Sequence, residues 1–303
     1  MRWPIHPVPV PAECLHSWLR RISNEYDCLA VSDLTFDLVG KVIDDDDLDF
    51  DPPTALLEKI AGKTGVDVGT IRRMTFAGIA PSFFNGRPLP PDTFRRYVRA
   101  EGFLLPRGLV AFRDHPHWIP WYKAHRFANP RFCPRCGERP PNIVWRTLML
   151  SCCPIHKLPP RSWPSKVWPF FNEGQEPEEI PETAAWLDGL TLAAFRNGQV
   201  DLAGRTYTLE EWARMLRTIV EELSVPYNKL GAEKATIRTI WRRVGKRPGN
   251  RLGFPYELLS TVQQFKFLHA ASIAVDLIAH GSIAPARSAP KDAPAGWPQP
   301  SLQ

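Results

Sequence analysis

Three cysteines and one histidine in the middle of the chain have the spacing of metal ligands. Cys133 and Cys136 form one pair, Cys153 and His156 form a second, and each pair has two residues between its members. In this spacing a tight turn can direct two side-chain donors at one ion. The roughly 15–20 residues between the pairs match a zinc ribbon whose last cysteine is replaced by histidine. Because four protein ligands leave no open position, the sequence predicts one structural Zn²⁺ ion.

Other interpretations of these cysteines exist. Two chance pairs of buried thiols would give the same residues, but a proline after the first cysteine of each pair and Gly137 after Cys136 favour a metal site. Cys152 is adjacent to Cys153, and either thiol could be the ligand. Only Cys153 keeps the two-residue gap to His156, so Cys153 is the predicted ligand and Cys152 the open alternative.

The remaining candidates for metal binding are less favoured. Cys14 and Cys28 lie in helical, apolar settings and are predicted to be core thiols. Three histidines just upstream of the cysteines could extend the site, although their Pro- and aromatic-rich surroundings favour packing or surface roles. These are His115, His117 and His125.

A second group of residues could contact the phosphates of DNA. Between Lys229 and Arg251 the sequence has eight cations and a single acid, Glu233. On a helix, cations spaced four residues apart would share one face, opposite an apolar stripe that anchors the helix. A solvated basic face is the alternative. The predicted DNA contacts of this basic helix are Lys234, Arg238, Arg242, Arg243, Lys246 and Arg247.

An earlier segment, Leu56 to Phe76, has a helix-turn-helix pattern. An apolar stripe predicts a first helix, Gly65 suits a left-handed turn position, and a second helix begins near Val68. Arg72 and Arg73 on that second helix are predicted to contact DNA. An ordinary helical hairpin is the alternative, because only some such pairs enter a groove.

These residues need a mainly α framework to position them. The sequence predicts an N-terminal arm and helix-turn-helix domain at 1–112, a small central zinc ribbon or knuckle at 113–170, a C-terminal helical domain with the basic helix at 171–280, and a disordered tail at 281–303. In the C-terminal domain, apolar periodicity predicts helices over 183–197, 208–223, 232–244 and 256–280. Thr208, followed by Glu211, has the form of a capping box.

Composition limits the function classes. A net charge of +6 and a pI near 9.1 are compatible with nucleic-acid binding. No apolar run is long enough to span a bilayer or to act as a signal peptide, so we expect a cytoplasmic protein whose cysteines are thiols or metal ligands. The sequence has no Walker-type glycine loop, serine elbow or HExxH motif, and it singles out no converging carboxylates for a metal-dependent nuclease. We therefore expect a protein that is not an enzyme.

Three segments in the same order resemble the TniQ family. Residues 9–21, PVPAECLHSWLRR, look like the family's Pro-rich arm and first helix, and residues 57–76 are similar to its helix-turn-helix. Residues 131–136, with Trp145 and residues 153–156, resemble its zinc finger. These motifs cover roughly the first half of the chain, and beyond about residue 165 the resemblance fades.

The resemblance implies a non-catalytic adaptor that selects target sites for a transposon. TniQ-like proteins bridge double-stranded DNA, or an RNA-guided Cascade complex, to an AAA+ ATPase and a transposase, and some form homodimers. Many members carry a second Cys-x-x-Cys pair after the finger. Here the stretch from Leu158 to Trp168 has no cysteine, so one zinc ion is expected. The alternative function is that of a zinc-ribbon helix-turn-helix transcription regulator without a role in transposition.

Overall fold

The computed structural model describes residues 2–26, 30–43, 45–79, 131–136, 142–159, 161–162, 178–248, 256 and 259–283. These residues are mainly helical, as the sequence predicts. The helices are α1 (Leu15–Glu25), α2 (Val31–Val39), α3 (Asp45–Phe50), α4 (Thr54–Thr64), α5 (Val68–Arg73), α6 (Phe76–Ile79), α7 (Glu182–Asn197), α8 (Leu209–Ser224), α9 (Lys234–Val244) and α10 (Thr261–Ala279). The strands are β1 (Arg131–Phe132), β2 (Arg161–Ser162), β3 (Gln199–Leu202) and β4 (Arg205–Thr208).

The N-terminal helices pack around the apolar face of α1. Trp18, Leu19 and Ile22 are fully buried on that face, in an apolar cluster that also contains residues of α2, α3 and α4. Helices α2 and α3 pack against α1, and α4 packs against α2. Helix α4 ends where Gly65 adopts a left-handed conformation, at φ 77°, which glycine reaches without the steric cost of a Cβ. After a three-residue turn α5 begins, because the carboxylate of Asp67 accepts the backbone N–H of Thr70.

A polar network ties the extended N-terminal arm to α1. The carboxylate of Glu13, only 5 % exposed, accepts hydrogen bonds from the backbone N–H of Val10 and from the Arg21 guanidinium, at 2.9 and 2.7 Å. Arg21 also donates to the carbonyl of Val8, and the Trp18 indole donates to the carbonyl of Pro7. The arm therefore has a fixed path although several of its apolar side chains are exposed.

The C-terminal helices enclose a second core built around α10. Helices α7, α8 and α9 all pack against α10, which is apolar on nearly every side, as expected for a central helix. Thr208 and Glu211 form the reciprocal capping box that the sequence predicts at the start of α8. An antiparallel hairpin of β3 and β4 joins α7 to α8 and pairs Gln199 with Thr208.

One segment links the central residues to this C-terminal core. Every residue from Leu148 to Cys153 is at most 2 % exposed. Leu148 and Met149 belong to the C-terminal core, whereas Leu150 and Cys153 pack in a separate apolar cluster. The hydroxyl of Tyr256 donates to the carbonyl of Leu148 at 2.8 Å. The segment is thus shared by two cores.

None of the helices in the described part of the chain has the length and apolar character needed to cross a bilayer.

Candidate metal centre

Four side chains from two separate turns converge on one point. The sulfurs of Cys133, Cys136 and Cys153 and Nδ1 of His156 all lie within 4.8 Å of one another. Cys133 and Cys153 are fully buried, whereas Cys136 and His156 are half-buried at the edge of the site. The four predicted ligands therefore lie close together and could hold a metal ion.

Four of the distances between these donors are close to those expected around a tetrahedral metal ion. With Zn–S near 2.3 Å and Zn–N near 2.05 Å, tetrahedral angles place two sulfurs about 3.8 Å apart and a sulfur and a nitrogen about 3.6 Å apart. The Cys136 and Cys153 sulfurs are 3.7 Å apart, and the His156 Nδ1 lies 3.5, 3.2 and 3.8 Å from the sulfurs of Cys133, Cys136 and Cys153. A sulfur–sulfur separation of 3.7 Å is far longer than a disulfide bond of about 2.05 Å.

The second turn directs both its ligands and its backbone at the centre. The backbone N–H of His156 points at the sulfur of Cys153, with N and S 3.5 Å apart. The backbone N–H of Lys157 donates to the Cys153 carbonyl at 2.8 Å, and Lys157 adopts a left-handed conformation with φ 53°. A backbone N–H that points at a sulfur favours the thiolate form, which is the form that binds metal ions.

The electrostatics of the cluster favour a cation. Burial raises the pKa of the Cys136 thiol well above its usual range, and the neighbouring Cys153 raises it further. Burial likewise raises the pKa of Cys153, although the amides of His156 and Ile155 oppose that rise. Thiolates this close together repel one another unless a metal ion compensates their charge. The donor set therefore fits a soft divalent cation such as Zn²⁺.

Cys152 lies outside this group of four. Its backbone N–H donates to Asp188 of α7 at 2.9 Å, and burial followed by the Asp188 carboxylate raises the pKa of its thiol. The two-residue spacing thus selects the cysteine that faces the other ligands, and Cys152 faces the C-terminal helices instead.

The site is held by parts of the chain on both sides of it. Strands β1 and β2 pair antiparallel just before the first ligand and after the last. The arm reaches the site as well, because the amide of Ile143 donates to the carbonyl of Ala12 at 3.0 Å and Glu13 forms a β-bridge with Asn142. Apolar residues wall the cluster: Phe50, Phe76, Val144, Trp145, Leu150 and Leu192.

The cations predicted to contact DNA lie in two places. Arg72 and Arg73 are exposed at the end of α5, where a guanidinium nitrogen of Arg73 donates to the Thr70 hydroxyl. On the basic helix α9, Ile237, Ile240 and Trp241 form the buried face. Arg238, Arg242 and Arg243 are exposed on α9, and Lys234 is half-buried at its start. The other two predicted cations follow the last residue of the helix, Val244: Lys246 is exposed and Arg247 is half-buried.

Two of these arginines stack on one tyrosine. The guanidinium carbons of Arg238 and Arg247 lie 5.4 and 4.6 Å from the ring centroid of Tyr227. Arg247 also lies 5.8 Å from the Trp241 ring and donates to the carbonyl of Val225 at 2.7 Å. Arg247 is therefore an anchored residue, unlike the exposed Arg242 and Arg243.

One exposed cation lies beside the turn between α4 and α5 and was not singled out from the sequence. The guanidinium of Arg2 lies over Gly65, so close that a Cβ added there would be 3.0 Å from the Arg2 Cζ. The backbone N–H of Trp3 donates to the Lys63 carbonyl at 2.8 Å and fixes this part of the arm. No local pattern predicts this contact, because Arg2 and Gly65 are more than sixty positions apart in the sequence.

Comparison with known protein families bears on the same residues. The family model described as TniQ matches residues 4–159, a span that contains the arm, α1–α6 and all four clustered ligands. The chain belongs to the TniQ family. Comparisons with curated proteins and with solved structures give no match. Membership of TniQ supports a transposition-associated adaptor role and is consistent with a protein that is not an enzyme.

Several predictions fall on parts of the chain that lie outside the described residues. They concern Cys28, the three histidines His115, His117 and His125, and the tail from residue 284 onward. Cys14, in contrast, is 2 % exposed within the apolar cluster beside the candidate metal centre, as predicted for a core thiol.

Proposed function

We propose that this TniQ-family chain is a non-catalytic, zinc-stabilised adaptor of transposition. It contacts target DNA or a targeting complex and recruits the AAA+ regulator and the transposase. The observation that carries the proposal is that the span matched by the family contains the four converging ligands. The metal is a framework element, since three thiols and one imidazole fill all four positions of a tetrahedral ion.

Zinc is the ion that suits this donor set best. Thiolate ligands select soft cations, and the near-tetrahedral spacing of the donors suits Zn²⁺, which is four-coordinate and tetrahedral in structural sites of this kind. One ion per chain is proposed, held by Cys133, Cys136, Cys153 and His156. Its role is to fix the turn that joins the N-terminal helices to the C-terminal core.

DNA contact is proposed for cations of α5, of α9 and of the segment that follows α9. On α9 the apolar face is buried in the C-terminal core, so the helix offers its arginines from a rigid support. Exposed cations of this kind bind phosphates without reading sequence, and each contact releases counterions. The proposed contacts are Arg72, Arg73, Lys234, Arg238, Arg242, Arg243 and Lys246, with Arg247 acting mainly by supporting its neighbours.

A recruitment assay tests the adaptor role. Duplex DNA immobilised on beads is incubated with the AAA+ regulator of the same transposable element and ATP, with and without this protein. The proposal predicts that the protein binds the beads and increases the amount of regulator retained. Binding to DNA with no gain in retained regulator would contradict the adaptor role and support a transcription regulator instead.

A variant identifies the surface in the same assay. Arg242 and Arg243 replaced by glutamate should reduce the amount of protein on the beads, whereas glutamate at Arg196, an exposed arginine at the end of α7, should not. The double variant changes the net charge by four units and Arg196→Glu by two, so losses in that proportion would show that general charge, not the α9 surface, controls retention.

A further inference from the structure

A buried carboxylate of the C-terminal half accepts hydrogen bonds from the backbone next to the candidate metal centre. Asp188, in the middle of α7, is 2 % exposed. Its two oxygens accept the backbone N–H groups of Ser151 and Cys152, at 2.8 and 2.9 Å, and the hydroxyl of Ser151, at 2.8 Å. These donors belong to the two residues that immediately precede the ligand Cys153.

These contacts are unusually complete for a side chain that lies outside the ligand group. Burying a carboxylate is costly unless hydrogen bonds compensate for the lost water. Here the donors of one short segment do so: two amides, the Ser151 hydroxyl and the Cys152 thiol. The contacts span 36 or 37 residues of sequence, so they fix the segment against α7 and not against its own neighbours. The direction of the next Cα–Cβ bond, at Cys153, is fixed with it.

We propose that Asp188 is a positioning residue of the metal centre, which holds Cys153 in the orientation that ligation requires. This inference rests on the zinc site proposed above. Residues that orient metal ligands typically change metal affinity 10- to 100-fold when they are replaced. Asp188 lies on α7, outside residues 4–159, the span that the family model matches.

The coupling acts in both directions. If the α7 carboxylate strengthens zinc binding by a given factor, zinc strengthens the contact between Ser151–Cys152 and α7 by the same factor. Zinc binding therefore stabilises the junction with the C-terminal helices as well as the knuckle itself. Through α10, which packs against both α7 and α9, the junction continues to the basic helix.

The test compares Asp188→Asn with the unaltered full-length chain. Zinc affinity is measured by competition with a chromogenic chelator, and Co²⁺ replaces Zn²⁺ to report the ligand geometry by its absorption spectrum. Asparagine keeps the size of the side chain but has one acceptor oxygen in place of two, and its N–H₂ group cannot accept a hydrogen bond from the donors of Ser151 and Cys152. We expect a 10- to 100-fold loss of zinc affinity and an altered Co²⁺ spectrum. The control, Asp201→Asn on the exposed hairpin, should change neither.

A second variant covers the case in which Asp188→Asn does not fold. Ser151→Ala removes only the hydroxyl, so zinc affinity should fall roughly 3- to 10-fold. Unchanged zinc affinity and Co²⁺ spectrum in these variants, with melting temperatures lowered equally with and without zinc, would overturn the positioning role. Absence of zinc from the unaltered chain would overturn the zinc site itself, so the two failures are distinguishable.

Discussion

Replacing Arg242 and Arg243 by alanine should weaken DNA binding in a way that salt reveals. Both side chains are exposed in the last turn of α9, and neither supports the core. Each phosphate contact contributes about 0.9 to the slope of log affinity against log salt concentration. The double variant should therefore reduce the magnitude of the slope by about 1.8 while changing stability by less than about 1 kcal/mol.

Arg247 provides the matched comparison. Its guanidinium stacks on Tyr227 and Trp241 and donates to the Val225 carbonyl, so its removal deletes two cation–π contacts and a charge-assisted hydrogen bond. Cation–π pairs at such sites contribute about 0.5–1 kcal/mol each, and a hydrogen bond to a charged group about 1.5 kcal/mol. We expect Arg247→Ala to lower the free energy of unfolding by about 2.5–3.5 kcal/mol.

Two assays separate these effects. Fluorescence anisotropy of a labelled duplex, titrated at several KCl concentrations, gives the slope, and urea unfolding gives the stability. The reasoning is refuted if the double variant keeps the slope of the unaltered protein. It is refuted equally if Arg247→Ala unfolds at the same urea concentration as the unaltered protein, because the stacked guanidinium would then contribute nothing.

Three further predictions concern the metal, the arm and pH. Cys133→Ser should lose zinc and melt at a lower temperature, because the binding energy of a structural ion is folding energy. Cys152→Ser should retain one zinc. Zinc retained by Cys133→Ser and lost by Cys152→Ser would reassign the ligand. Glu13→Ala removes the buried carboxylate that holds Val10 and Arg21 and should cost about 1–2 kcal/mol in urea unfolding, whereas Glu25→Ala, at an exposed position, should cost almost nothing. Equal costs would contradict the anchoring of the arm. Burial lowers the pKa of His269, so the unfolded chain binds a proton more readily than the folded one, and the free energy of unfolding should fall as pH drops below about 6.5. In His269→Gln the fall in stability between about pH 7.5 and 5.5 should be smaller. An unchanged fall would rule out His269 as a source of the pH dependence.

Local patterns predicted much of the helical framework. The predicted helices at 183–197 and 232–244 correspond to α7 and α9 within two residues, because apolar periodicity and Gly198 or Gly245 mark their ends. The last helix begins at Thr261 and not at 256, since Ser260 and Gln263 form a capping box that the periodicity did not reveal.

The hairpin between α7 and α8 was missed for a related reason. Its strands have only four residues each, too few for a clear alternation, although Val200 and Leu202 are buried on the same face. Ala203 and Gly204 in the turn both adopt left-handed conformations, and of the two only glycine predicts such a turn from the sequence.

The metal ligands were predictable because their spacing is itself the chemical requirement. The supporting residues were not, since nothing local links Asp188 to Ser151 or Arg247 to Tyr227. Such contacts arise only when distant helices pack, and they decide which cysteine faces the centre and which cation is anchored. The sequence thus indicates the ligands, and the fold indicates what holds them.

The measurement that tests the central claim most directly is the zinc content of the purified full-length protein, determined by native mass spectrometry with elemental analysis. A structural centre formed by the four clustered side chains predicts one tightly bound zinc per chain, retained through gel filtration and removed only by a strong chelator with loss of stability. A protein that carries no zinc, or loses it without any change in melting temperature, would contradict the claim.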